Sequence, residues 1–218
     1  MLRRCIKTTN GFKYISSSDY TKYEDGTTVN YTTDGDLFVH IPKYWYKSYT
    51  ENVNGTVYKK LMLYTKAVPG AKESKEVYIG AVEASSDDAS NASPSLYSII
   101  KTNISYNQDG SVTASNLTYT EDASSFRGGN QRSSTSWDED SSKCQLGRPV
   151  TNLTRAAFRE RAARRGTGYS QQYWTAYCAL VRLYIVEYCS FNTQASFNSS
   201  TTSEGYKQGG LGNGVSQI

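Results

Sequence analysis

The stretch Gly35–Thr50, which reads GDLFVHIPKYWYKSYT, decides the fold of this chain. In its first half the apolar residues Leu37, Val39 and Ile41 stand at every second position, and an aromatic run follows. Alternation with this period is typical of a β-strand that has one buried face. Turn residues flank the stretch on both sides, so it predicts strands and not a helix.

Further strand signals follow along the first half of the chain. Asn54-Gly55 predicts a tight two-residue turn, so segment 57–66 (VYKKLMLYTK) is expected to pair with the preceding strand as a hairpin. Segment 76–84 (EVYIGAVEA) also has the composition of a strand. Segments 96–101 and 111–120 are weaker strand candidates. The first half of the chain is therefore predicted to be strand-rich.

Two helices are predicted in the second half. Thr154 suits the cap of a helix over Arg155–Arg165, which is rich in strong helix formers, and Gly166 follows as a stop. A second helix is predicted from about Gln171 to Cys189, because apolar residues recur there at helical spacing. We expect this second helix to be central and buried. Its tyrosine-rich stripe consists of Tyr173, Tyr177, Leu180, Val181, Tyr184 and Tyr188.

The pattern as a whole predicts the α+β class. The 218 residues are enough for one large domain or two small ones. We expect a strand-rich N-terminal region over residues 1–120 and a region with the two helices over residues 121–218.

Composition and charge exclude several classes of protein. The chain has 19 tyrosines and a net charge of only +4 at pH 7, which describes a polar, tyrosine-rich protein suited to surface contacts. No uncharged apolar run reaches the roughly 18 residues that a membrane span requires, and Met1 is not followed by a signal-peptide pattern. We expect no membrane insertion. Nucleic-acid binding would need a wider basic surface or a known motif, so we expect no nucleic-acid partner either.

The cysteines and the single histidine limit the chemistry. Cys5, Cys144, Cys178 and Cys189 show no CxxC spacing, and His40 is the sole imidazole. We therefore predict buried free thiols, no metal site and no cofactor. On one helix, Cys178 and Cys189 would be roughly 16 Å apart, which is too far for a disulfide.

The first predicted helix concentrates positive charge. Arg155–Arg165 holds five arginines and one glutamate, so its net charge equals that of the whole chain. Such a helix could contact phosphate or an anionic glycan. A solvated helix that pairs with acidic loops is the interpretation we favour.

Glu187 is the candidate structural anchor of the second helix. It lies beside the tyrosine stripe in an otherwise apolar segment, where an ionised carboxylate needs a partner. We predict that Glu187 is buried and is paired with an arginine from elsewhere in the chain, either Arg148 or Arg127. We favour this role over general acid or base catalysis.

The candidate binding residues lie in a loop-like segment, 124–144, which contains a tryptophan followed by acidic residues. An exposed aromatic ring among charged side chains suits surface contact, so we select Trp137, Asp138, Asp140 and Arg127. The acidic run lacks the alternating ligands and the glycine of a calcium loop, so we predict no metal there.

Seven motifs occur in order along the chain, and they are Gly35-Asp36 with Ile41–Lys47, Tyr78–Ala84, Arg127–Asn130, Leu146–Arg155, Leu183–Tyr188, Phe191–Gln194 and Gly205–Gly212. In this order and spacing, the chain from Gly35 to Gly214 resembles a group of gut-phage structural proteins known as tail or minor structural proteins. Their C-terminal half is a C-type lectin-like domain related to the formylglycine-generating-enzyme type of that fold.

The resemblance implies a virion component, displayed on a tail fibre or a head-associated fibre, that binds the bacterial surface. In some relatives, diversity-generating retroelements vary exposed residues of the lectin-like face. The formylglycine-generating enzymes need a cysteine pair near the end of the domain. No such pair follows Gly205, so that activity is not carried over. In such proteins the lectin-like domain continues past the glycine-rich segment, so we expect this region to be incomplete at its C-terminal end.

We therefore expect a non-enzymatic adhesin that is made in the host cytoplasm and assembled into the virion. Its expected partners are other virion proteins and a bacterial surface glycan or protein, and we expect a homo-oligomer, for which a trimer is one candidate. One alternative is a purely architectural decoration or connector protein without a receptor. Another is an enzyme that acts on surface polysaccharide, which would need a carboxylate pair at defined spacing. No such pair stands out in the sequence.

Overall fold

The computed structural model describes residues 2–86, 94–99, 104–106, 108, 112–114, 131–132, 137–138, 150 and 154–191. These residues form several antiparallel strand pairs and two helices. The predicted α+β class, with a strand-rich N-terminal region, is confirmed.

The strands of the described residues are β1 (Arg3–Thr8), β2 (Gly11–Tyr14), β3 (Asp36–Ile41), β4 (Tyr44–Val53), β5 (Thr56–Tyr64), β6 (Lys72–Ser74), β7 (Val77–Gly80), β8 (Ser85–Ser86), β9 (Leu96–Tyr97), β10 (Ile104–Tyr106), β11 (Val112–Ala114), β12 (Gln131–Arg132) and β13 (Trp137–Asp138). The helices are α1 (Arg155–Ala163) and α2 (Trp174–Tyr188).

The described chain divides into two compact units. The core unit consists of residues 2–40 and the described residues of 79–171, and the hairpin unit consists of residues 41–78 and the described residues from 172 onward. The predicted boundary between residues 120 and 121 lies outside the described residues, so the division into 1–120 and 121–218 stays a prediction.

A four-stranded sheet, in the order β2-β1-β3-β7, organises the core unit. Strand β1 pairs antiparallel with both neighbours, so Cys5 lies opposite Tyr14 on one side and Phe38 on the other. The buried cluster against this sheet consists of Ile6, Ile15, Tyr23, Val29, Tyr31 and Leu37.

Strand β3 departs from the simple alternation that its sequence predicts. Leu37 and Ile41 are buried as expected, but Val39 is only half-buried. Asp36 and His40, on the opposite face, are buried as well. Because neighbouring side chains of a strand point to opposite faces, both faces of β3 are covered at its ends.

The hairpin unit is built on strands β4 and β5. Val53 pairs with Thr56 across a two-residue turn, in which Asn54 and Gly55 have φ angles of 52° and 84°. Two consecutive positive φ angles match a type I′ turn, which suits the twist of a hairpin. The hairpin predicted from Asn54-Gly55 is confirmed.

Two other predicted strands, those over segments 76–84 and 96–101, are shorter than expected within the described residues, and most of the third, over segment 111–120, lies outside them. Segment 76–84 is a strand only over β7, segment 96–101 only over β9, and segment 111–120 is described as a strand only over β11. Strand β7 ends at Gly80. The next amide, that of Ala81, donates a hydrogen bond to the Leu37 carbonyl of β3 at 3.0 Å.

Helix α1 agrees closely with its prediction. The Thr154 hydroxyl accepts a hydrogen bond from the Ala157 amide at 3.2 Å, which satisfies one free amide of the first turn. The helix ends at Ala163, and Gly166 follows with a φ angle of 114°.

Helix α2 is shorter and more exposed than predicted. Ala176 and Ala179 are its buried residues, whereas Tyr173 at its N-cap, Tyr177 and Tyr188 are about half exposed. The expectation of a central, buried helix is therefore wrong. Among the described elements, α2 contacts strand β5, and its buried residues are limited to Ala176 and Ala179, so much of its surface stays accessible to solvent. Neither helix of the described part of the chain has the length and apolarity needed to cross a membrane.

The cysteines are free thiols where they are described. Cys5 is buried, Cys178 is half-buried and Cys189 is exposed. Free thiols are confirmed at these three positions, but burial is confirmed for Cys5 alone. Cys144 lies outside the described residues.

Candidate functional site

The candidate site is a groove in the hairpin unit, between the β4–β5 hairpin and α2. Alternation along β4 puts Tyr46, Ser48 and Thr50 on one face of the hairpin. In the register of the hairpin, Ser48 lies opposite Leu61, and Thr50 lies opposite Lys59. Directly opposed side chains share a face, so the floor of the groove combines an aromatic ring, two hydroxyls and a cation.

Helix α2 and the residue Phe191 after it supply the rest of the groove lining. Arg182 and Ile185 are three residues apart and lie on one helix face, and Phe191 follows the end of the helix. The groove has a volume of about 590 Å³, within the range of sites that bind small molecules. Its lining consists of Tyr46, Ser48, Tyr49, Thr50, Lys59, Lys60, Leu61, Arg182, Ile185 and Phe191.

Arg182 has an unusual environment for an arginine. Its Cζ atom lies 3.7 Å from the centroid of the Tyr46 ring, a cation–π contact that stabilises the pair by about 1 kcal/mol. The side chain is half-buried. Its guanidinium forms neither a hydrogen bond nor an ion pair with any residue that the structure describes. Arg182 is therefore held by stacking while its N–H donors remain available.

The lysines of the groove differ from each other. Lys60 forms an ion pair with Glu51 across the hairpin, and the hydrogen bond from this pair raises the pKa of Lys60 above its usual value. Lys59 is exposed and forms no ion pair with a described residue. None of the described residues lining the groove is acidic. Among the described residues, therefore, nothing compensates the positive charges of Lys59 and Arg182.

This arrangement suits reversible binding. Tyrosine rings present flat surfaces with little conformational entropy to lose, hydroxyls exchange hydrogen bonds, and cations attract anionic groups. Within the described part of the chain, no group of three or more His, Cys, Asp or Glu side chains could hold a metal ion.

The binding residues selected from the sequence lie elsewhere. Trp137 and Asp138 form strand β13, which pairs with β12 so that Arg132 lies opposite Trp137. Asp140 and Arg127 lie outside the described residues. These four residues stay predictions, and none of them lines the described groove.

Glu187 does not have the environment that the sequence suggested. It is exposed near the end of α2, so the expectation of a buried carboxylate at this position is wrong. The reason is the exposure of the helix itself, because a carboxylate in contact with water needs no partner. Arg148, one of its proposed partners, lies outside the described residues, as does Arg127.

Asp36 is a buried carboxylate of the core unit that sequence reasoning missed as an anchor. Its side chain is only 2% exposed, pairs with the Arg165 guanidinium and accepts a hydrogen bond from the Ser98 amide at 2.8 Å. The Tyr169 hydroxyl lies 3.4 Å from the same carboxylate. The Arg165 guanidinium also lies over the Tyr97 ring, with its Cζ 4.0 Å from the centroid.

Arg165 belongs to the basic segment that the sequence led us to interpret as a solvated helix. Burial works against its charge, but the hydrogen bond and the charge of Asp36 outweigh burial and raise the pKa of Arg165. One arginine of that segment is therefore a structural anchor. The Gly35-Asp36 pair at the start of β3 was the available sequence signal, because a carboxylate directly before a buried strand needs a partner.

The comparisons with known proteins return nothing: no family model, no curated protein and no solved structure matches this chain. A functional assignment therefore depends on the groove and on the order of the sequence motifs.

Proposed function

We propose that this chain is a structural protein of a bacteriophage virion that binds the surface of the bacterial host, with the groove of the hairpin unit as a contact region. The groove carries this proposal, because it gathers aromatic, hydroxyl and cationic side chains at one open surface. The virion location and a C-type lectin-like fold for residues 121–218 are further parts of the proposal. They are supported by the order and spacing of the seven motifs.

Binding in this proposal is reversible and gains strength from multiple copies. A single groove of this size contacts only a short part of a surface polymer, so its affinity is expected to be modest. Display of several copies on one particle raises the effective affinity without any new contact. A homo-oligomer would fit this requirement.

The test compares monomeric protein with a streptavidin-linked tetramer on a panel of gut bacteria, with fluorescence per cell as the readout. We expect the tetramer to label at least one strain far more strongly than the monomer does. Thr50→Trp fills the groove and is expected to abolish labelling, because Thr50 lies exposed on its floor. Val53→Trp is the matched control, since Val53 is exposed on the opposite face of the same strand. No labelling of any strain by the tetramer would overturn the proposal.

Trp137→Ala tests the segment selected from the sequence. If labelling is lost in Trp137→Ala and retained in Thr50→Trp, the adhesin proposal stands and its contact region is the strand β13 instead of the groove. Arg159→Ala, on an exposed position of α1, is the control expected to change nothing.

A purely architectural role is the second candidate, and exposed apolar side chains favour it. Trp174 is 75% exposed, and its ring centroid lies 5.5 Å from that of Tyr177, which is about half exposed. Large exposed apolar side chains in one region are typical of interaction surfaces. Stable oligomers in analytical ultracentrifugation, without any labelling of cells, would favour this role. Release of reducing sugar from host polysaccharide would favour an enzyme over both.

A further inference from the structure

We propose that the groove of the hairpin unit binds an acidic polysaccharide, and that the Arg182 guanidinium, stacked on Tyr46, holds a carboxylate carried on a sugar ring. This inference rests on the proposed function, because it names the ligand class of the same groove.

The charge of the groove selects an anion. Arg182 and Lys59 have no ion-pair partner among the described residues, and no described lining residue is acidic. Lys60 contributes little, because Glu51 already compensates it. Two positive charges at one surface attract an anion and repel a cation.

The stacked guanidinium of Arg182 favours a carboxylate over other anions. A guanidinium presents N–H donors in a planar fork that matches the two oxygens of a carboxylate. Stacking on Tyr46 orders that fork before the ligand arrives, so less conformational entropy is lost on binding. An ammonium in the same place would lack both the fork and the planar stacking surface.

The remaining lining selects a sugar ring over an open-chain phosphate polymer. Leu61, Ile185 and Phe191 present apolar and aromatic surface to the groove. The C–H faces of a pyranose ring can pack against such surface, and Ser48 with Thr50 offers hydroxyls for its remaining groups. A glycerol-phosphate polymer has no ring face to use these contacts.

The test is isothermal titration of the full chain with an oligogalacturonate of defined length and with its methyl ester. The two probes share the sugar rings, and the ester carries a neutral methyl ester group in place of each charged carboxylate. We expect the acid to bind at least about tenfold more tightly than the ester, and to weaken as the salt concentration rises.

Variants locate the carboxylate contact. Arg182→Lys retains the charge and is expected to weaken binding of the acid about tenfold, because the fork and the stacking are lost. Lys59→Gln is expected to weaken binding of the acid only about threefold, because Lys59 is exposed and solvent screens its charge. Arg159→Lys on α1 is the matched control and is expected to bind as the parent chain does. Far-ultraviolet circular dichroism and the melting temperature verify that each variant folds.

Equal binding of the acid and its ester would overturn the inference, as would parent-like binding by Arg182→Lys. Preference for a glycerol-phosphate polymer over the oligogalacturonate would also overturn it. The cell-labelling test separates the two proposals. If the tetramer labels cells but the acid and its ester bind equally, the adhesin stands and the acidic ligand fails. If the acid binds preferentially but no cells are labelled, the ligand class stands and the adhesin fails.

Discussion

The guanidinium of Arg182 lies over the ring of Tyr46, with its Cζ atom 3.7 Å from the ring centroid. Arg182 comes from helix α2 and Tyr46 from strand β4, so the contact joins the helix and the hairpin that line the groove. The contact orders the guanidinium of Arg182, and no acidic side chain among the described residues pairs with it. The contact is therefore the part of the groove most directly tied to ligand binding.

The first prediction concerns the ring of Tyr46. Tyr46→Leu removes the aromatic face and releases the Arg182 side chain, so binding of oligogalacturonate should weaken by about threefold to fivefold. Tyr46→Phe keeps the face and should change binding by less than about twofold. Titration calorimetry measures both variants, and equal losses in the two would contradict the stacking role.

The second prediction concerns the buried pair of Asp36 and Arg165. Asp36→Asn leaves the guanidinium without its counter-charge in the core unit. We expect the free energy of unfolding to fall by about 2–3 kcal/mol, less than for a fully buried pair because the Arg165 side chain is 25% exposed. Urea denaturation with an unchanged slope measures the loss.

A surface pair is the control for Asp36→Asn. Arg3 and Glu24 also form an ion pair, but both side chains are largely in contact with solvent. Glu24→Gln should therefore cost at most about 1 kcal/mol. Similar losses in the two variants would show that Asp36 is no more important than a surface carboxylate.

The third prediction concerns the turn before β3. Gly35 has a φ angle of 140°, and a Cβ atom at this position would overlap the carbonyl oxygen of Lys7. Gly35→Ala should destabilise the fold by about 2–5 kcal/mol, because backbone strain and a clash with main chain add together. Gly11 is the matched control in the same unit.

Gly11 also has a positive φ angle, 119°, but no heavy atom lies within 4 Å of the Cβ that an alanine would add. Gly11→Ala should therefore show the strain alone, about 1–2 kcal/mol. Thermal melts of the two variants measure the difference. A larger loss in Gly11→Ala than in Gly35→Ala would contradict the close approach to Lys7.

The fourth prediction concerns alkaline pH. Burial raises the pKa of the Cys5 thiol to about 12, although the charge of Arg3 lowers it slightly. The folded state therefore keeps the proton that the unfolded chain loses above pH 9, and stability from this group is lost as the pH rises from 9 towards 12. The free energy of unfolding should fall by up to about 1.4 kcal/mol per pH unit in this window.

Cys5→Ala should flatten this dependence, and Cys189→Ala, at an exposed thiol, should leave it unchanged. Some slope will remain in Cys5→Ala. Burial and the hydrogen bond to Asp34 raise the pKa of Tyr23 as well, so its proton is also held in the folded state. Urea denaturation from pH 8 to pH 11 measures the slopes, and identical slopes in the parent and Cys5→Ala would rule out this role for the thiol.

Several elements of the fold could be predicted because their causes are local. Asn54 and Gly55 adopt positive φ angles readily, which is sufficient to specify the hairpin turn. Thr154 caps α1 through its own hydroxyl three residues from the amide it satisfies. The length of β7 was overestimated, because β7 pairs with β3, which lies far away in the sequence, and the extent of that pairing is not a local property.

The candidate site was not predictable in the same way. The sequence pointed to Glu187 as the buried carboxylate because its neighbours on the helix are apolar, and the structure buries Asp36 instead. The helical tyrosine stripe was interpreted as core, although Tyr177 and Tyr188 are about half exposed. A periodic pattern shows which side chains share a face, but not whether another element covers that face.

The amino-acid sequence alone determined the α+β class, the Asn54-Gly55 hairpin and helix α1. These features follow from backbone preferences and side-chain contacts within a few residues. The pairing of Arg165 with Asp36, and the stacking of Arg182 on Tyr46, were decided only by the tertiary structure. In each pair the two side chains come from elements that are far apart in the sequence, so only the folded chain brings them together. How deeply each side chain is buried depends on which other elements cover it.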